Sequence, residues 1–308
     1  MKKIKNKLIN IIKAINPFSN KDTDNKILYT AKILLTTQVI YFVTLIIAEG
    51  LIIGTSYLFG YNATDKQMPQ NITLIISFFG YIIPIMAFIL YTKKINKSNA
   101  SRIGLDNNFK PYIKGLLIGI VSLALIILPL IICGAVKFNG LNKNINWLFI
   151  ILFFFACLIQ SSLEEVICRG FIFHRLKEKL PMAFAITINV GFFLIGHWSQ
   201  MFEAGTLIGI IGVTNAILIG LIFTVLTIKD KNIYSAIGFH HIWNFGLYCI
   251  IGLNLSGNKV TNSIFNMTAV NKFLTGSSYG IESSIICTLV YVLVLTALLI
   301  TKRKDTNK

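Results

Sequence analysis

Two adjacent carboxylates, Glu164 and Glu165, stand in the segment SSLEEVICRG, and Arg169 follows four residues after Glu165. Apolar residues flank this segment, and an ionisable group in hydrocarbon costs several kcal/mol, so it marks function by default. On a helix Glu165 and Arg169 share a face, with Glu N-terminal to Arg, the order that favours pairing. Glu164 points about 100° away from them. One carboxylate is thereby neutralised and the other is placed to act as a base. His197 lies in FFLIGHWSQ, and His240 and Asn244 lie in GFHHIWNF, four residues apart and so on one helix face, with His241 pointing elsewhere. A carboxylate and a histidine that face each other can hold and activate a water. A histidine and an asparagine amide can donate hydrogen bonds to a developing oxyanion. Together they would hydrolyse an amide with no covalent intermediate.

Other hydrolytic chemistries fit less well. The chain has no GxSxG, no Ser/His pair at plausible spacing and no HExxH. Two histidines and one carboxylate are nevertheless a known Zn²⁺ set, so Glu164, His197 and His240 would be the ligands if a metal is used. The residues favour no metal and leave Zn²⁺ open.

The elements that must position these groups are membrane helices. Of the 308 residues, 55% are hydrophobic and 13% charged, against roughly 25% charged in soluble domains. Apolar runs long enough to cross about 30 Å of hydrocarbon recur along the chain. They predict an all-α bundle of about eight spans, near 33–58, 72–92, 112–134, 147–173, 182–199, 206–228, 232–252 and 281–301. Pro84 and Pro129 fall inside two of them as kinks. Twenty-four of the 29 Lys and Arg lie on one side of this arrangement, and Lys66, Lys137, Lys143, Lys259 and Lys272 lie on the other. That asymmetry predicts both termini in the cytoplasm. It also accounts for the net charge of +17 without a nucleic-acid partner. In residues 1–16, Ile4, Leu8, Ile11, Ile12 and Ile15 follow helical spacing with lysines opposite, the pattern of a basic helix lying on a membrane surface. The chain thus divides into a basic amphipathic segment, 1–27, a membrane bundle, 28–301, and a basic tail, 302–308.

Depth converts scattered polar residues into one site. The fourth and fifth spans form a hairpin turning near Pro181, with Glu164 17 residues before it and His197 16 after it. At 1.5 Å per residue both lie about 25 Å from the tip, and roughly 15 Å deep if the tip projects about 10 Å. His240, nine residues past Lys231, reaches roughly 14 Å.

With these residues in place, the sequence resembles the CAAX-protease and bacteriocin-processing (CPBP, Abi) family of intramembrane proteases. EEVICRGFIFHRL matches its EExxxR motif, Phe193 to His197 its FxxxH motif and His240 to Asn244 its HxxxN motif, over about residues 112–252. The resemblance implies that Glu164 and His197 activate water and that His240 and Asn244 form the oxyanion site. It makes Glu165 and Arg169 supporting partners and Phe193 a packing residue beside the site. The expected substrate is a peptide or small membrane protein. Abundant Ile, Lys and Asn point to an AT-rich bacterium, where prenylated proteins are not expected. Bacteriocin maturation, self-immunity or regulated proteolysis at the cell membrane fits better. A non-proteolytic regulator or scaffold that binds a partner such as a sensor kinase is the alternative, and a proton relay a third.

The remaining features have structural explanations. Cys133, Cys157, Cys168, Cys249 and Cys287 lie in or beside apolar stretches without paired spacing, as small core residues do. Gly205, Gly209 and Gly212 suggest close helix packing. Glu49 has no assigned role.

Overall fold

The computed structural model describes residues 2–61 and 67–301, and these form the expected all-α membrane bundle. Lys66 and the basic tail 302–308, both used in the charge count, lie outside the described residues. The helices are α1 (Lys2–Ile15), α2 (Lys26–Leu58), α3 (Gln70–Gly80), α4 (Ile82–Lys94) and α5 (Lys110–Ile132), then α6 (Trp147–Glu165), α7 (Met182–Ile195) and α8 (Trp198–Phe202), then α9 (Thr206–Asp230), α10 (Tyr234–Phe245) and α11 (Ile285–Ile300). Strands β1 (Val136–Leu141) and β2 (Phe265–Ala269) pair antiparallel. Among the described residues five stretches are long and apolar enough to cross a membrane: α2, α3 with α4, α5, α6 with its continuation to Leu176, and α9. The shorter α7, α11 and α10, the last continued to Ile251, fill the other expected positions.

Three elements depart from simple apolar runs. The second span breaks at Tyr81, between α3 and α4. Pro84 has no N–H to offer the carbonyl of Gly80, so the break falls one turn before the proline. The fifth span, expected to run to residue 199, ends as a helix at Ile195. Its chain turns at Gly196 and His197, where the His197 N–H bonds Leu194 O at 3.0 Å. The 253–280 connection contains β2, which holds the connection against β1 from Val136↔Ala269 to Leu141↔Phe265.

The chain forms two compact units: Met1–Asn107 with Ser162–Asn189, and Asn108–Ser161 with Val190–Lys308. The first is organised by charge. Asp22, in the turn between α1 and α2, accepts from Lys32 Nζ at 2.9 Å and from Arg175 Nη2 at 2.6 Å, and lies 3.9 Å from Arg102. Lys32 Nζ also donates to the carbonyls of Ser19 and Lys21. Arg102 forks onto Glu178 through Nε and Nη2, each at 2.8 Å. Lys179 pairs with Asp24, and the Tyr91 hydroxyl donates to the Pro17 carbonyl. The N-terminal turn, the connection after α4 and the turn after α6 therefore meet in one cluster. These are three of the segments that the charge count assigned to one side.

The second unit is organised by close backbone approach. Residues 115–119 of α5 read GLLIG. A Cβ on Gly115 would meet Ser235 O at 2.0 Å, and one on Gly119 would meet Ile242 Cγ2 at 2.4 Å. From the opposite helix, a Cβ on Gly238 would meet Tyr112 O at 2.1 Å. α10 therefore lies directly on the α5 backbone, as small-xxx-small helix pairs do in membranes. Gly209 and Gly212 likewise leave room for Phe202 and Ser283, whereas Gly205 caps α9 with φ at 106°.

Burial alone would raise the Asp22 carboxyl, but the Lys32 hydrogen bond and the charges of Arg175, Lys32 and Arg102 outweigh it and hold it below the usual carboxylate range. A group depressed in the folded state stabilises above its unfolded pKa, and that stability is lost as pH falls through the folded value. Asp22→Asn should destabilise the protein near neutral pH by roughly 2–3 kcal/mol, at or below the low end of the cost of orphaning buried cations, because Asp22 keeps 17% of its surface exposed. It should also blunt the loss of stability on acidification below about pH 4. Thermal unfolding of both proteins across that range checks both statements.

Candidate active site

In the first unit the acidic motif closes α6. Glu165 Oε1 lies 3.1 Å from Arg169 Nη1, and both side chains are completely excluded from water. Burying two charges is tolerable only when each neutralises the other. From Val166 to Phe173 the helix widens into a π-helical stretch, fully buried, and His174 Nδ1 donates to the Arg169 carbonyl at 2.6 Å. Such stretches are frequent at functional sites. Phe171 packs on Phe88 and Tyr91. Glu164, on a different face, is only half-buried. The adjacent carboxylates thus occupy different environments, as their spacing predicts.

The second unit holds His197, His240 and His241. His197 occupies the turn between α7 and α8, and its Nδ1 donates to the Phe193 carbonyl at 3.0 Å. A carbonyl only accepts, so Nδ1 carries the proton and Nε2 is the basic nitrogen of the neutral ring. The Phe193 ring lies 4.8 Å from the His197 ring and 6.4 Å from the His240 ring. One phenylalanine therefore touches both histidines. Phe223 stacks on His240 from α9 at 5.1 Å. Asn244, one turn further along α10, donates through Nδ2 to Gln160 Oε1 at 2.6 Å and to Ser161 Oγ at 3.3 Å. α10 also widens into a π-helical stretch, Gly246–Ile251, beginning two residues after Asn244.

Two residues absent from the sequence-based set emerge here. His241, set aside by its direction, is fully buried and pegged between helices. Its Nε2 donates to the Phe154 carbonyl at 3.0 Å, which leaves Nδ1 to accept from the Tyr112 hydroxyl at 2.6 Å. Gln160 fixes the Asn244 amide. Its signal was present in FFFACLIQSSLEE, a lone amide in an apolar run four residues before Glu164 and so on the same face of α6. Among the described residues no three His, Cys, Asp or Glu side chains are grouped to hold a metal ion.

Residues 146–246 match the family described as type II CAAX prenyl endopeptidase Rce1-like. The matched segment contains all three motifs. No curated protein and no solved structure matches the chain. The family match points to an intramembrane protease acting on a peptide or protein.

His241→Phe removes the partner of a half-buried hydroxyl and of a half-buried carbonyl. It should lower stability by about 1–3 kcal/mol. Gln160→Leu should cost about 1 kcal/mol, because the short bond from Asn244 and a long one from Ser161 Oγ are lost while Asn244 still donates to Ser161. Thermal unfolding of the detergent-solubilised variants distinguishes the two.

Proposed function

We propose that the chain is an intramembrane endopeptidase in which Glu164 and His197 activate a water for attack on a peptide carbonyl. The Glu164 carboxylate takes a proton from the water while His197 Nε2 orients it. His240 and Asn244 donate to the oxyanion that forms on the carbonyl. Asn244 does so by exchanging its long bond to Ser161 while the short bond to Gln160 keeps the amide plane in place. The proton held on Glu164 then passes to the leaving amine, which restores the carboxylate. Glu165 and Arg169 neutralise each other and anchor the helix that carries Glu164, and Phe193 packs beside both histidines. The single observation that carries this reading is that one family match, over 146–246, contains Glu164, His197, His240 and Asn244 together.

The substrate class that fits is a peptide or small membrane protein of a bacterial cell, in bacteriocin maturation, self-immunity or regulated proteolysis. Both chain termini then lie in the cytoplasm. Water activation by this set uses no metal. If Zn²⁺ is used instead, Glu164, His197 and His240 are the residues with suitable donor atoms.

The test is hydrolysis of a membrane-peptide library by detergent-purified protein, wild type beside Glu164→Gln, each with and without chelator. Wild type should cleave regardless of chelator, and Glu164→Gln should be slower by about 100-fold or more. Equal cleavage by the variant removes Glu164 from the chemistry. Cleavage lost to chelator and restored by Zn²⁺ means that the reaction uses a metal.

A further inference from the structure

We infer that α1 and the turn after it are a docking surface for an anionic lipid leaflet. The helix has 14 residues and no Asp or Glu. Ile11, Ala14 and Ile15 are half-buried, and α1 packs on α2. On the same apolar side Ile4 is 76% exposed and Leu8 and Ile12 are each 57% exposed, and Phe18 and Ile27, beyond the helix, are exposed as well. Lys5 and Lys7 flank this stripe, and Lys3 and Lys13 lie further round toward the opposite face. An amphipathic helix with a cationic border and an uncovered apolar face is complementary to an anionic membrane surface.

The height of this surface is set by the ionic cluster. Lys32 holds the carbonyls of Ser19 and Lys21, and Asp22 is bound to Lys32 and Arg175, so the chain after α1 is tied to residues at the ends of membrane-crossing helices. α2, which follows, continues directly into exposed apolar residues such as Phe42 and Ile46. A cavity of about 380 Å³ opens at the end of α1, lined by Lys13, Asn16, Ser19 and Lys21 among others. Asp22 also lines it, but its carboxylate is already committed to Lys32 and Arg175. Lys13 and Lys21 thus give the cavity a cationic lining that suits a phosphate-bearing headgroup. A second copy of the chain fits poorly, because it would set the lysine border against itself.

The experiment uses the full chain in nanodiscs of phosphatidylcholine alone or with phosphatidylglycerol. Leu8→Cys, made with Cys133→Ser, carries an environment-sensitive fluorophore; the other four cysteines are buried. A neutral quencher in water reports access to the label. Access should fall several-fold in the anionic discs relative to the neutral ones. That protection should vanish at high salt and when Lys3, Lys5, Lys7 and Lys13 are all changed to Gln, exposed positions whose loss leaves the bundle folded. Equal access in both lipids overturns the inference. So does protection that changes with protein-to-disc ratio, which would identify a second copy as the occupant.

Discussion

A charge removed from water must be neutralised by a neighbour, and this protein meets that requirement twice in different ways. Inside the bundle the answer is a single pair. Glu165 and Arg169 stand one turn apart, wholly excluded from solvent, and neutralise each other within one helical segment. At the ends of the helices the answer is a cluster. Asp22 serves Lys32, Arg175 and, at longer range, Arg102, while Glu178 takes the Arg102 fork. The internal pair fixes the helix that bears Glu164. The terminal cluster fixes the turns that join the helices of the same unit.

In the second unit, beyond the Lys114–Asp230 ion pair, hydrogen bonds to histidine rings hold the polar groups in place. His197 and His241 each donate one ring proton to a backbone carbonyl, which settles the tautomer and leaves the other nitrogen as an acceptor. For His241 that acceptor is taken by Tyr112, so the ring is a peg. For His197 it is the nitrogen that the proposed chemistry uses. The same residue type in two hydrogen-bond settings yields a structural role and a proposed chemical one. The bare glycine surface of α5 lets α10 come close enough for Tyr112 to reach His241, and α10 in turn presents His240 and Asn244.

Much of this was legible in the chain. Apolar runs alone located the membrane segments, because hydrocarbon thickness leaves few alternatives. The four-residue spacing of Glu165 and Arg169 sufficed to foresee their ion pair. Other features depend on contacts far apart in sequence. The end of α7 before His197 is invisible in an apolar run that continues past it. β2 lies in a connection rich in Asn and Gly whose pairing with β1 is set by the fold. Gly115 and Gly119 form a visible GLLIG, yet its partner on α10 is not deducible from α5. Gln160 and His241 carried signals of type, a polar group among apolar ones, but their bonds to Asn244 and Tyr112 belong to side-chain geometry across helices.

The central claim is that Glu164 and His197 act on one water, and a double-mutant cycle in cleavage rate tests it most directly. Glu164→Gln, His197→Gln and the double variant would be compared on a peptide that wild type cleaves. If the two residues work as a unit, the double variant is no slower than the slower single one, because the shared step is already lost. Losses that multiply would mean that the two residues act separately, and would contradict the account.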